Sequence, residues 1–263
     1  MRVRTSSCNL CGSSHWQDQG SRAGVRCANC NSLERTRIIK LLLDHHKLLR
    51  PGMKILHFAP EKGLATLFAE LTPEGYDPVD LAPDGYRFLK VRQFDVVTDM
   101  ETLATGTYDL ILHSHIVEHL PISLAHFFFH VFRALKEDGV HVFAAPLMPG
   151  HYDEYLGPLS KEDATKRFGQ WDHVRWLGVE DFDRHLGALM RLEKDFDLTK
   201  IFSKRELRAC NIPASQQMGL HGSTVFMTTK NDYRLAGDYE MPHTPSPDPI
   251  RESRKRRKFL RWW

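Results

Sequence analysis

The chain has 263 residues, 41% of them apolar and 26% charged, with 36 Lys and Arg against 33 Asp and Glu for a formal charge of +3. That length and composition suit one sizeable α/β domain plus a small module, and no window approaches the roughly 18 apolar residues of a membrane-spanning helix. The charge is unevenly spread: residues 251–263 (RESRKRRKFLRWW) hold seven basic residues and one acid, leaving 29 basic and 32 acidic residues elsewhere. A slightly acidic body weighs against the whole chain being a nucleic-acid-binding surface. The first residues, MRVRTSSCNLCG, lack the apolar stretch of a secretory signal, so a cytoplasmic location is expected.

Four of the five cysteines come first, as Cys8-x2-Cys11 and, after fifteen residues, Cys27-x2-Cys30. In a reducing compartment disulfides are disfavoured, and two such knuckles supply the four thiolates of a closed structural zinc site. Gly12 suits the tight turn past the first knuckle, and Asn31 and Ser32 follow the second. Four thiolates leave no open position, so Zn²⁺ here is expected to be structural. Cys210 reads as a small buried apolar residue. The zinc ribbon is assigned to residues 1–31, followed by a linker helix over 32–50. Ser32 is its expected cap, Arg35 and Arg37 point outward, and Ile38, Ile39, Leu41 and Leu42 point inward. His45 and His46 are expected to face solvent.

Pro51-Gly52 ends that helix, and Met53–Phe58 reads as a buried strand. A helix is expected over 64–71, strands ending at Leu81 and over 91–95 and 108–113, and a helix over 122–135 whose Phe127, Phe128 and Phe129 pack in the core. A turn at 136–139 leads to a strand over 140–145. Strands alternating with helices imply a doubly wound parallel sheet with its ligand site at the strands' carboxyl ends. The first strand-to-helix turn has Gly63 but no GxGxxG, and no GxxxxGK[ST] occurs, which argues against a pyrophosphate or a P-loop. Asp80, closing the second strand, can accept both hydroxyls of a ribose. A nucleoside without phosphates fits: S-adenosylmethionine.

The segments ILHFAPEKGL, DLAP, FDVVTDM, YDLILHSHIVEHLP and FRALKEDGVHVFAAPL together resemble class I S-adenosylmethionine-dependent methyltransferases of the methyltransferase-domain 11 type. The resemblance is closer to a bacterial subgroup with an N-terminal zinc ribbon, an SLER helix (here Ser32–Arg35) and an RFGQxDHVR segment (here Arg167–Arg175), and it covers roughly residues 8 to 230. It implies a Rossmann-like seven-stranded sheet over residues 51–232, with an acceptor-side insertion at about 147–178. It also implies a cofactor loop of Phe58, Ala59, Glu61 and Gly63, a ribose contact at Asp80, adenine contacts at Asp95 and Val96, and His113 beside the cofactor. The sequence departs from most class I enzymes in having Pro60 and a single glycine in the first loop. For Asp80 and Asp95 the plain alternative is strand-end capping.

Methyl transfer to a hydroxyl needs a positioned acceptor and a proton acceptor. His115, Glu118 and His119 share one face if their segment is helical or turn-like. The spacing is similar to the Glu-x-x-Glu-His metal motif of small-RNA and ubiquinone-pathway O-methyltransferases. That implies a second divalent metal at His115, Glu118, His119 and His173, with Zn²⁺, Mn²⁺ or Co²⁺ favoured over Mg²⁺. The plainer reading, which we prefer on sequence, is a metal-free base or positioning role. Asp172, His173, Arg175 and Trp171 are candidates for an acceptor pocket, with Arg175 for an anionic group. A salt-bridged lid is the alternative. A helix is expected over 179–190, a strand over 195–201, a short capped helix over 203–208, and an antiparallel strand over 224–229 completing the sheet.

Residues 233–263 read as a Pro-rich disordered linker followed by a basic, tryptophan-ended tail. Docking at an anionic membrane surface is the preferred function for that tail, ahead of nucleic acid, with a solvated tail as the plain alternative. The sequence thus points to S-adenosylmethionine-dependent O-methylation of a small molecule or saccharide. An RNA methyltransferase gripping its substrate with ribbon and tail is the alternative, and a non-catalytic cofactor-binding scaffold the second. No N-P-P-[YF] signature is present, which disfavours amino-methylation of adenine or glutamine.

Overall fold

Residues 6–234 are described by the structure, a computed structural model. The chain opens with a hairpin of β1 (Trp16–Gln19) and β2 (Arg22–Cys27), then α1 (Glu34–His45). The main sheet is laid down by β3 (Ile55–Phe58), α2 (Lys62–Leu71), β4 (Tyr76–Asp80), β5 (Arg92–Gln93), β6 (Tyr108–Ser114), α3 (Leu124–Ala134) and β7 (Leu135–Ala144). An insertion follows, with β8 (Leu147–Met148), β9 (Asp153–Glu154), α4 (Lys161–Phe168) and β10 (Arg175–Gly178). The chain then forms α5 (Leu186–Leu189), α6 (Lys204–Ala209) and β11 (Val225–Thr229). No helix among the described residues is long and apolar enough to cross a membrane. The tail and its proposed membrane contact lie outside the described residues.

The main sheet runs β11-β7-β6-β3-β4-β5, parallel except for β11, which pairs antiparallel with β7. Among the described residues six strands form it, where the sequence predicts seven. The missing one is the expected strand over 195–201. Asp197 Oδ1 accepts the backbone N–H and hydroxyl of Thr199 at 2.9 and 2.6 Å, and this Asx turn starts a 3-10 turn at Leu198–Lys200 instead. The expected 136–139 turn is absorbed into β7, where the pairing register with β6 slips between Tyr108 and Leu110. The expected helix over 179–190 shrinks to a 3-10 turn at Phe182–Arg184 and the four-residue α5.

Alternation along the strands divides the core in two. One face carries Leu56, Phe58, Ile111 and Phe143 against α3, and the other carries Ile55, Leu110, Leu112 and Val142 against α1 and α2. Phe127 and Phe128 are fully buried, but Phe129, on the outer side of α3, is 42% exposed and not core. His45 and His46 are exposed, as their place past the apolar face of α1 dictates.

Helix α1 departs from expectation in its polar residues. Ser32 does not cap it; the first helical residue is Glu34, and Ser32 is buried with its hydroxyl 3.2 Å from Cys8 Sγ. Arg35 and Arg37 point inward. Arg37 is completely buried, donating to the carbonyls of Val25 (3.0 Å), Ser32 (2.7 Å), Cys210 (2.8 Å) and Asn211 (2.9 Å), while its guanidinium lies 4.8 Å from the Trp16 ring centroid. One side chain thus joins the cysteine module to the segment after α6. Replacing Arg37 by Met leaves four carbonyls unpaired, so the urea midpoint should drop by the equivalent of about 3 kcal/mol; a midpoint equal to wild type would refute this role.

Three histidines of the parallel strands are also buried. His57 meets Tyr76 Oη through Nδ1 (2.9 Å), and His141 meets Tyr233 Oη (2.6 Å). His113 has neither ring nitrogen partnered among the described residues and stacks on Phe143. Burial pushes the His57 and His141 imidazoles down to about 3, and burial with neighbouring histidines holds His113 well below its usual value. Above pH 6.5 the folded and unfolded states are both neutral at these groups. Below it the unfolded chain takes up protons first, so stability is lost as pH falls from about 6.5 toward 3, by about 1.4 kcal/mol per pH unit for each histidine. His113→Leu should remove one histidine's share of that slope in denaturant titrations at pH 4–6 without lowering stability at pH 8.

Candidate cofactor cleft and metal centres

In the N-terminal module the two knuckles adopt the same turn. Gly12 N–H donates to Cys8 O (2.8 Å) and Asn31 N–H to Cys27 O (3.0 Å), with φ of 75° and 60°. The pairs Cys8–Cys30 and Cys11–Cys27 approach to 3.6 and 3.5 Å, and all four sulfurs lie within 4.8 Å of one another. Burial pushes the Cys27 thiol up, so thiolates gathered here need a cation. The residues fit Zn²⁺, and the buried Arg37 supplies the positive neighbour that a doubly negative zinc tetrathiolate calls for, through Ser32 Oγ (3.5 Å). Cys210 is half-buried rather than buried.

Strand order in the main sheet reverses between β3 and β6, and a cleft of about 520 Å³ opens at the carboxyl ends there. Both strands leave the sheet through left-handed non-glycine residues, Ala59 (φ 47°) and His115 (φ 57°). Such strained backbone at adjacent strand ends is characteristic of ligand sites. Phe58, Ala59, Asp80, Asp95 and Val96 line the cleft, joined by His115, His119 and Asp172 from the other side.

Asp80 and Asp95 each spend one oxygen on the chain. Asp80 Oδ1 accepts the Ala82 N–H (2.7 Å) and Asp95 Oδ1 the Val97 N–H (2.8 Å), which is the capping expected of strand-end acids. Both residues line the cleft. Asp80 Oδ2 also accepts the hydroxyl of Tyr86 (2.7 Å), a residue the sequence reading missed; burial and that hydrogen bond push the Tyr86 phenol up. The only sequence signal for it was an aromatic six positions past the acid. Also missed were Leu81, directly after β4, and Val97, in the loop after β5, both apolar lining residues. Among the described residues no Lys or Arg lines the cleft. Carboxylates without cations suit a nucleoside bearing a positive sulfonium, and so the residues fit S-adenosylmethionine better than a phosphorylated ligand.

Three sequence-proposed cofactor contacts are placed elsewhere. A Cβ on Gly63 would stand 3.0 Å from Leu10 Cδ1 and 3.2 Å from Cys30 Sγ, so that glycine lets the cysteine module sit on the start of α2. Glu61 turns toward α1, where Oε1 accepts the Thr36 hydroxyl (2.9 Å) and lies 3.4 Å from Arg35. Arg35 in turn donates to Ser114 Oγ (2.8 Å). His113 points into the α3 core, its ring centroid 5.2 Å from those of Phe127 and Phe143, and does not line the cleft.

On the other wall, the turn after β6 is tied to the insertion. Val174 N–H donates to Glu118 O (2.9 Å), and the buried Arg175 guanidinium donates to Ile122 O (2.7 Å) and Val117 O and pairs with Glu154 (2.7 Å). Arg175 is fully buried and cannot meet an acceptor; it is a positioning residue that fixes residues 117–122. Trp171 is 55% exposed, with Lys161 Nζ 4.5 Å from its ring centroid, and does not line the cleft. Glu118, His119, Asp172 and His173 do gather. His119 Nδ1 faces Asp172 O (3.2 Å) and Oδ2 (3.3 Å), and the His119 and His173 rings are 4.6 Å apart. His115 joins only by its edge, 3.4 Å from Glu118 Oε1, its Nε2 held by Gly222 O (2.7 Å). Burial works to raise the Glu118 carboxyl, but the His115 hydrogen bond and the charges of His115 and His119 outweigh it and hold Glu118 below its usual value. Burial holds the His173 imidazole down.

Residues 31–210 match the protein family described as "Methyltransferase domain". The chain belongs to this family, and its class is that of S-adenosylmethionine-dependent methyltransferases. Solved structures similar to it include a SAM-dependent methyltransferase from Archaeoglobus fulgidus (17% identity, covering 73% of this chain and 92% of that one, TM-score 0.44). The YcgJ protein from Bacillus subtilis is similar at 16% identity over 68% of this chain and 80% of that one (TM-score 0.41). Geranyl diphosphate C-methyltransferase from Streptomyces coelicolor A3(2) is similar at 11% identity over 74% and 77% (TM-score 0.43). No curated protein matches the chain.

Asp80→Ala should weaken S-adenosylmethionine binding at least tenfold by calorimetry, about 1.4 kcal/mol, and Tyr86→Phe by less. Unchanged affinity in Asp80→Ala would remove the ribose contact from the cleft.

Proposed function

We propose that this methyltransferase transfers the methyl group to an oxygen of a small-molecule or saccharide acceptor. The observation that carries the reading is the His119–Asp172 pair on the cleft wall opposite Asp80 and Asp95. S-adenosylmethionine supplies an electrophilic methyl group with a neutral thioether as leaving group. Asp80 receives the ribose hydroxyls, and Asp95 and Val96 flank the adenine. Ala59 and His115 border the path between the two walls.

An alcohol nucleophile must lose its proton as it attacks, whereas a free amine need not, and a proton acceptor at the cleft therefore favours oxygen. Asp172 holds His119 Nδ1, which leaves Nε2 as the lone-pair nitrogen for the acceptor's proton. The Glu118 carboxylate stands behind it, 3.9 Å from that nitrogen, and stabilises the imidazolium once formed. Arg175 keeps the two segments in register while the acceptor binds. The four-cysteine module has a structural role, bracing the start of α2 and the end of α6.

The test is turnover with ¹³C-methyl S-adenosylmethionine against pools of hydroxylated small molecules and oligosaccharides, with the shift of the transferred methyl read by NMR. A methoxyl signal is expected. His119→Ala should lower kcat/KM by about 10²-fold or more while cofactor affinity changes less than threefold. An N-methyl or C-methyl product, or full activity of His119→Ala, would overturn the reading.

A further inference from the structure

The cluster behind the cleft has features that a hydrogen-bonded base would not require. Glu118 is 1% exposed, yet its Oε2 has no hydrogen-bond partner among the described residues. An unpaired buried carboxylate oxygen carries a desolvation cost of about 1–3 kcal/mol or more. Beside it, both imidazoles are held through Nδ1. His173 Nδ1 faces the carbonyl of Phe168 (3.2 Å), and His119 Nδ1 faces the carbonyl and carboxylate of Asp172. Each contact favours the Nδ1–H tautomer and leaves an Nε2 lone pair free, that of His119 3.9 Å from Glu118 Oε1. Glu118, His119 and His173 can then offer one oxygen and two nitrogens, all within 4.8 Å of one another. Imidazoles oriented from behind by a carbonyl or carboxylate are the usual outer arrangement of metal-bound histidines.

We propose that Glu118, His119 and His173 bind a divalent transition-metal ion, separate from the four-cysteine centre, with open coordination positions toward the cleft. His115 is outside the set, because its Nε2 is taken by Gly222. Two imidazoles and a carboxylate favour Zn²⁺, Mn²⁺, Co²⁺ or Fe²⁺ over Mg²⁺. The remaining ligand of such an ion is an oxygen donor on the acceptor, a hydroxyl or an adjacent pair of them. In this respect the proposal rests on the oxygen-acceptor reading and deepens it. With the ion bound, His119 Nε2 is a ligand; the coordinated hydroxyl loses its proton to water in the open cleft, and the resulting oxyanion attacks the methyl carbon as the carbon–sulfur bond breaks. Without the ion, His119 takes that proton directly.

The test uses the full-length protein with one zinc retained in the four-cysteine site, titrated with Co²⁺. Wild type should take up one equivalent and show weak d–d bands without the thiolate charge-transfer bands of a cysteine site. Glu118→Gln and His173→Ala should weaken that binding at least tenfold, and Asp172→Asn about tenfold. The single zinc they keep, by elemental analysis, shows that they are folded. Failure of the zinc-retaining wild type to bind Co²⁺, or unchanged affinity in Glu118→Gln and His173→Ala, would overturn the proposal. None of these readouts depends on turnover, so a wrong acceptor atom would appear in the methyl NMR shift and a wrong metal site in the cobalt spectrum.

Discussion

A guanidinium sealed from water needs partners on every side, and the placing of Arg37 organises much of this protein. Its four carbonyl partners come from β2 and the second knuckle on one side and, far along the chain, from the segment after α6 on the other. Burying that cation without them would be prohibitive, so the cysteine module cannot swing free of the methyltransferase domain while Arg37 stays inside. The same docking explains Gly63, whose missing side chain lets Cys30 and Leu10 rest on the start of α2. The module also carries Arg35 to Glu61 and Ser114, beside the strand ends that open onto the cleft. The four-cysteine module is therefore packed against the methyltransferase domain rather than hung beside it.

A second buried arginine does for the insertion what Arg37 does for the four-cysteine module. Arg175 binds the carbonyls of Val117 and Ile122 and the carboxylate of Glu154, so the insertion cannot shift without moving the turn that bears Glu118 and His119. His119 and His173 come from loops fifty-four residues apart and still meet ring to ring. Such preorganisation is what an in-line methyl transfer demands, since small misplacements of the acceptor atom lose rate steeply. The acidic lining of the cleft matches a cofactor that is itself positive.

How much of this was readable from sequence depended on whether a residue's partners were local. The parallel strands stood out as short apolar runs, and the CxxC pairs as metal ligands. Ser203 was legible because its cap on α6 is made within three residues, through Glu206. Arg35 and Arg37 were misjudged because a charged residue on a helix is ordinarily solvated, and nothing nearby in sequence reveals four waiting carbonyls. Arg175 was misread for the same reason. His113 was misplaced because closeness to the strand end does not reveal that Phe127 and Phe143, distant in the chain, enclose its ring. The lost seventh strand shows local chemistry prevailing instead: Asp197 capturing Thr199 outweighed an apolar pattern compatible with β structure.

The sequence alone determined the class of fold, the clustering of four cysteines and the acidic strand ends, because each follows from spacing or periodicity over a few residues. It also placed the surplus positive charge in residues 251–263, outside the matched domain. Only the tertiary structure decided which arginines are girders, that Gly63 receives the four-cysteine module, and that Glu118, His119 and His173 converge while His115 does not. Those outcomes depend on contacts between segments distant in the chain, and on the cost of leaving a buried charge or hydrogen-bonding atom unpaired, which no local pattern encodes.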